Sequence, residues 1–245
     1  MDFQTLVDTD AVGIKIEHDE AVMMLGSCFA EDVGNLLKRS MLALCINPFG
    51  TLYNPRSIAQ SLRRLMADEP FSADELVAYG NLWHSMSHHS RFSSVDKDRA
   101  LQKINAAYAE GVACLRSARH LIVTFGTAYT FSTADGETVA NCHKMPASMF
   151  NRRMLSTNEI ADEWIPLIDD IRKFNPHIDI TFTVSPVRHL ADGAHGNQLS
   201  KSTLLLAADR IMAQRPGVCH YFPSYEIMLD QLRDYRFFAA DMVHP

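Results

Sequence analysis

Ala21-Val22-Met23-Met24-Leu25-Gly26-Ser27-Cys28-Phe29-Ala30 decides the fold: an apolar run ends in Gly26-Ser27, and a helical pattern follows at once. The run Ala21–Leu25 has strand length and is apolar throughout, as a strand covered on both faces of a parallel sheet requires. Cys28–Arg39 then places Phe29, Val33, Leu36 and Leu37 at helical spacing. Glu31 and Asp32 fall in its first turn, where the positive end of the helix dipole favours them. A strand that turns through glycine directly into a helix is the opening unit of a doubly wound α/β sheet.

The same alternation continues along the chain. Met41–Ile46 reads as a second strand, stopped by Asn47-Pro48. Pro55 opens a helix where its missing N–H is harmless, and the pattern runs to about Met66. Residues 68–97, rich in Ser and His, have no clean period and read as an insertion over one end of the sheet. Lys97–Ala118 is a helix and His120–Phe125 a strand. Residues 130–155 read as a second elaborated loop, with a small hairpin around Asp135-Gly136. A helix from Thr157 to about Lys173, a strand at Asp179–Val184, a helix at Leu199–Gln214, a strand at Val218–Phe222 and a helix at Tyr225–Tyr235 complete the pattern. The expectation is a flavodoxin-like three-layer α/β/α sandwich: a five-stranded parallel sheet in one domain, with insertions near 68–97 and 130–155.

With 245 residues, 47% of them hydrophobic, the chain can bury a substantial core without disulfides or metals. A net charge of −6 argues against a surface built around nucleic-acid phosphate. The five cysteines, Cys28, Cys45, Cys114, Cys142 and Cys219, are odd in number and share no C-x-x-C spacing. That fits reduced thiols in a cytoplasmic protein rather than a disulfide framework or a zinc ribbon. Met1–Thr5 shows no basic segment followed by a long apolar one, so no signal peptide is expected, and no run approaches the ~20 apolar residues that cross a bilayer.

Chemistry is suggested at the two ends of the chain. Ser27 stands just beyond the first strand, where ligands bind in an open parallel sheet and where the following helix favours a developing anion. A serine there can equally be a simple helix cap. Asp241 and His244 lie three residues apart, so one turn can present both side chains together. A serine hydroxyl needs a base to take its proton, and the base needs a carboxylate to hold its tautomer. Ser27 as nucleophile, His244 as base and Asp241 as orienting group satisfy both needs; the alternative is a loop with two ordinary polar residues.

These motifs resemble the GSCFA family, named for the five letters found at residues 26–30, within the SGNH/GDSL hydrolase superfamily. The similarity runs through Asn47-Pro48-Phe49-Gly50-Thr51, Phe125-Gly126-Thr127-Ala128, Asn141-Cys142-His143-Lys144, Ser185-Pro186-Val187-Arg188-His189 and the final Asp241-Met242-Val243-His244-Pro245. The resemblance implies the SGNH hydrolase fold, the triad Ser27–His244–Asp241, and an oxyanion hole built from the N–H groups of Ser27 and Gly50. It also implies a closing helix beyond His244-Pro245. The superfamily's third block supplies an Asn donor where this chain has Ala128, which has no side-chain donor. Thr127, Asn47 and His143 are the candidates to replace it.

His84, His88 and His89 raise a metal reading, but no carboxylate stands at ligand spacing and no metal or other cofactor is expected. The resemblance favours substrate contact for His88 and His89. Arg188 and His189, beyond the Asp179–Val184 strand, and His143 are further candidates for substrate binding, or pair with neighbouring acids, and Asn47 is a candidate for substrate binding as well. The expected function is hydrolysis of a small acyl ester of a polar or carbohydrate-like alcohol. The alternatives are an acyltransferase using the same triad and a degraded hydrolase fold that binds a glycan or an acylated ligand. The expected partner is the ester substrate, with neither nucleic acid nor membrane.

Overall fold

The computed structural model describes residues 5–9, 13–40 and 42–245. The opening residues 1–4, and Met41 at the start of the second expected strand, lie outside them. Strand β1 (Ala21–Gly26) leads into helix α1 (Cys28–Arg39), which is followed by β2 (Ala43–Ile46) and α2 (Pro55–Ala67). The first insertion forms an antiparallel hairpin, β3 (Leu76–Tyr79) and β4 (Leu82–Ser85), before α3 (Lys97–Ser117). Next come β5 (His120–Phe125) and the second insertion with β6 (Tyr129–Ser132), β7 (Thr138–Val139) and β8 (Asn151–Met154). Then follow α4 (Thr157–Phe174), β9 (Asp179–Val184), α5 (Gly193–Gln214) and β10 (Cys219–Tyr221).

Five of these strands form one parallel sheet in the order β2-β1-β5-β9-β10, the flavodoxin-like order. The chain reverses its direction of growth between β1 and β5, so the crevice at their carboxyl ends is the natural binding position. The two faces of the sheet differ. Met23, Leu25, Leu121, Val123, Phe125, Ile180, Phe182 and Val184 join the apolar faces of α2, α3, α4 and α5 in the main core. Met24, Ile122, Thr124, Thr181 and Thr183 point the other way, toward Phe29, Ala30, Val33 and Leu37 of α1.

The centre of the main core is aromatic. Phe125, Trp164 and Phe182 pack with centroid separations of 5.2, 5.3 and 5.4 Å, mostly edge to face. Trp164 also donates its indole N–H to Pro55 O at 3.2 Å, joining α4 to the start of α2. Asn54 caps α2 by accepting the Ser57 N–H at 2.9 Å, and Ser156 and Glu159 close a capping box on α4.

Four expectations change. The insertion at 68–97 contains the β3–β4 hairpin, whose strands are half exposed and so show no clear alternation. The second insertion is a three-stranded sheet, β7-β6-β8; β8 reads Asn-Arg-Arg-Met and is exposed, so its sequence carries no strand signal. Helix α5 starts at Gly193 rather than Leu199; its opening turns are largely exposed and contain Gly193 and Gly196, poor helix formers that hide the start in the sequence. The expected helix Tyr225–Tyr235 is a single α turn, Ser224–Glu226, followed by a wider π turn, Ile227–Gln231, with Leu232 N–H reaching Ile227 O at 2.8 Å. The two insertions bond to each other: Ala140 N–H donates to Met86 O, and His143 Nε2–H to Ser85 O, both at 2.8 Å. Among the described residues no helix is long and apolar enough to cross a membrane.

Candidate active site

The site begins at the end of β1. Gly26 has φ +143°, and a Cβ there would lie 2.3 Å from Thr124 O on the neighbouring strand, so no side chain fits. That close pairing sets Ser27 at the N-terminus of α1, at the crevice between β1 and β5. Ser27 is 1% exposed, makes no side-chain cap to the helix, and its Oγ has no hydrogen-bond partner. A capping serine would place its hydroxyl on the N2 or N3 amide. This one leaves a buried hydroxyl unsatisfied, which is costly unless it serves another purpose.

The loop after β2 closes over Gly26. Asn47, at φ +47°, accepts the Gly26 N–H on Oδ1 at 2.8 Å, and Gly26 O accepts the Leu52 N–H at 2.9 Å. Asn47 Nδ2 is buried with no partner, as is Thr51 Oγ1. Gly50 does not meet its expectation as an oxyanion donor: its N–H is committed to Asn47 O at 2.7 Å within the turn. A glycine stands there because a Cβ would lie 2.2 Å from His89 Cβ, with the backbone at φ +78°.

The β5 end supplies the opposite wall. A Cβ on Gly126 would sit 3.2 Å from Ser27 Cβ, so the bare backbone of Gly126 lies against the serine. Gly126 and Thr127 both donate their N–H groups to Tyr53 O, at 2.8 and 2.9 Å. The Thr127 hydroxyl, another expected oxyanion donor, lies 3.1 Å from Ser200 Oγ and accepts the Tyr129 N–H at 3.2 Å. Ser200 Oγ in turn accepts the Ala128 N–H at 2.8 Å. Both expected donors are therefore held by the scaffold, and Asn47 Nδ2 is the buried amide donor beside Gly26 that is left over.

Asp241 and His244 come together as expected. His244 Nδ1–H donates to Asp241 Oδ2 at 2.6 Å, and Asp241 Oδ1 accepts the Val243 and His244 N–H groups at 2.9 and 3.1 Å. The His244 hydrogen bond, followed by those two amides, holds the Asp241 carboxyl down to about 2. The side chains are 49% and 44% exposed, so this pair is a surface turn rather than a buried one. Arg188 carries the turn: its N–H reaches Val243 O at 3.3 Å and its guanidinium Met242 O at 3.4 Å, while stacking on Phe238. Arg188, expected to contact substrate or acids, thus ties the Asp241–His244 turn to the segment leaving β9. The triad itself is open, since Ser27 Oγ accepts or donates no bond to His244.

The histidines of the insertions divide in two. His88 is buried, bonds Ser85 Oγ at 2.8 Å through Nδ1, and stacks on Phe49 at 4.7 Å with Phe71 and Phe92 edge-on. Burial first, then the nearby His143 and Arg64, drives its pKa down to about 3. His143, at φ +49° and buried, is anchored on Ser85 O, and burial lowers its pKa too. His88 braces the Asn47–Gly50 loop through its stack on Phe49, and His143 holds the backbone of Ser85, the residue whose hydroxyl bonds His88. His89 does the same with backbone, donating its N–H to Phe49 O at 2.9 Å, while its ring accepts the Arg91 N–H at 3.3 Å. Among the described residues no group of three or more His, Cys, Asp or Glu side chains is placed to hold a metal ion.

His189 does face the crevice: its ring meets Tyr53 edge-on at 6.2 Å, and burial followed by the charge of Lys201 lowers its pKa to about 4. Lys201 escaped notice in the sequence. It is 0% exposed and donates from Nζ to Gly126 O at 2.6 Å and Ser185 O at 2.7 Å, across the ends of β5 and β9. A signal did exist, because Ser200 and Lys201 occupy the same helical stripe as Leu204, Ala207, Ala208 and Ile211, where an apolar residue is the norm.

A family model described as the GSCFA family matches residues 21–245, and the chain belongs to that family. No curated protein matches it. Among solved structures, an acetyl xylan esterase (Est2A) from the rumen bacterium Butyrivibrio proteoclasticus is similar, at 11% identity and a TM-score of 0.34. The match covers 85% of this chain and 56% of that one, so the chain spans little more than half the length of that structure.

Proposed function

We propose that this chain is a serine hydrolase of the SGNH/GDSL type, acting on a small acyl ester of a polar or carbohydrate-like alcohol. The observation that carries this is Ser27: a buried hydroxyl at the sheet's switch point that neither caps its helix nor bonds any neighbour. The preformed Asp241–His244 pair, tied by Arg188 to the segment that leaves β9, supports it. In this mechanism the turn carrying His244 closes onto Ser27. His244 Nε2 takes the Ser27 proton as Oγ attacks the acyl carbon, and Asp241 holds the imidazole tautomer and offsets its charge. The Ser27 N–H and Asn47 Nδ2 receive the oxyanion. His244 returns its proton to the departing alcohol, then takes one from the water that attacks the acyl-enzyme and hands it to Ser27 Oγ as the acid leaves. An acceptor alcohol in place of that water makes the same site an acyltransferase.

The open triad favours a second class, a hydrolase fold that binds a glycan or acylated ligand without turnover. Incubation with a fluorophosphonate, followed by mass spectrometry and short-chain nitrophenyl ester assays, separates the two. The hydrolase labels at Ser27 and loses turnover in Ser27→Ala; a folded protein that neither labels nor turns over is a binding module.

A further inference from the structure

Outside the triad, the described residues form a polar cleft between α2 and the insertions, an apolar cavity under α1, and the buried amine of Lys201. The amine touches a wall of the Ser27 crevice. Its Nζ sits on Gly126 O at 2.6 Å, and the Gly126 backbone lies directly against Ser27. Its second bond goes to Ser185 O at 2.7 Å, and among the described residues no carboxylate lies within ion-pair distance of it. Lysine is almost never fully buried without a carboxylate partner, because an ammonium loses its hydration there. Two carbonyls satisfy two of its three donors and leave its charge uncompensated.

The same crevice lacks a side-chain donor at Ala128, and the Gly50 and Thr127 donors are committed elsewhere. We infer that Lys201 is a positioning residue for ester hydrolysis, its ammonium fixed behind Ser27 on Gly126 O and Ser185 O to supply the positive charge the oxyanion hole otherwise lacks. This rests on Ser27 being the nucleophile. The ammonium acts through space, in a buried site where a fixed charge is worth far more than in water. It never touches substrate.

The groups facing the amine are the Cys28 thiol from α1, His189 from the segment after β9, and the Gly126 and Ser185 carbonyls. Burial brings its pKa down to about 7, with the Cys28 thiol opposing the shift. The ammonium form is the one required, so turnover declines as pH rises through about 7. A serine hydrolase without such a cation keeps its rate on the alkaline side.

Lys201→Gln retains two N–H donors for the two carbonyls and removes the charge, and Lys201→Met removes both. With short-chain nitrophenyl esters, Lys201→Gln is expected to lose about 10²–10³-fold in kcat with little change in KM, and to lose the alkaline decline. Lys201→Gln with wild-type kcat and an unchanged pH profile overturns the inference while leaving Ser27 as nucleophile. So does a wild-type profile that shows no decline from pH 7 to 9, a measurement that needs no variant to fold. A wild-type protein inert to esters and fluorophosphonate overturns both.

Discussion

The amide of Gly26 donates to the side-chain oxygen of Asn47 at 2.8 Å, joining the turn that carries Ser27 to the loop that follows β2. One side chain thus fixes the backbone before Ser27 with its oxygen and keeps its amide nitrogen unbonded beside it. Asn47→Ala leaves the Gly26 N–H buried without an acceptor, which costs about 1–3 kcal/mol. It also removes the donor assigned to the oxyanion, for a loss of about 10² in kcat. Urea titration and ester kinetics measure the two effects separately; unchanged kcat in the folded variant removes Asn47 from the oxyanion hole.

Asp241→Asn keeps the shape of the terminal turn but presents the wrong partner to His244 Nδ1. Ester turnover is expected to fall by roughly 10⁴. Because the Asp241 carboxyl titrates near 2, it stays ionised through the working range and adds no acid limb of its own above about pH 3. A variant within tenfold of wild type would show that the pair does not orient the base.

Gly50→Ala forces a Cβ into His89 at a backbone angle of +78°. Overpacking and left-handed strain together cost about 2–5 kcal/mol. His89→Gly in the same chain opens the space and is expected to recover part of the lost stability. Strictly additive thermal shifts for the two substitutions would contradict the contact.

His88 is held neutral by burial, with its pKa near 3 against 6.5 for a free histidine. The folded state therefore binds fewer protons than the unfolded one between these values. The contribution of His88 is complete above pH 6.5 and is lost as pH falls toward 3. His88→Leu lowers Tm at pH 7 by leaving the Ser85 hydroxyl without its ring partner, yet flattens the decline from pH 6.5 to 4. Parallel Tm curves for the two proteins would exclude His88 as a source of acid sensitivity.

Trp164→Ala empties the aromatic centre between Phe125 and Phe182 and is expected to cost about 3–5 kcal/mol by denaturant titration. Residual kcat per folded molecule should be near wild type, since the ring lies behind the sheet and not in the crevice. A loss below about 1 kcal/mol would mean that the core collapses to refill the space.

The parallel sheet was legible because its central strands are almost wholly buried and mostly β-branched or apolar, as in Asp179–Val184 and His120–Phe125. The polar strand β8 and the half-exposed hairpin β3–β4 were not, since their pairing partners are set by tertiary neighbours rather than by a periodic pattern. At the site, side-chain chemistry marked Ser27, Asp241 and His244, and their spacing in sequence was enough to expect the Asp–His bond. Hydrogen-bond commitments are another matter. Nothing in the letters of Gly50 or Thr127 tells that an N–H or a hydroxyl is already occupied, and polar residues such as His88 and His143 can be read as surface until their burial is seen.

The bonds between the two insertions, Ala140 to Met86 and His143 to Ser85, make the decorations of this fold a single mechanical part. That part also grips the Asn47–Gly50 loop through His88, His89 and Phe49. A chimera that swaps one decoration alone would therefore strand donors in the other and loosen the floor under Ser27. Re-targeting this scaffold to a new ligand means transplanting residues 76–92 and 138–145 as a matched set.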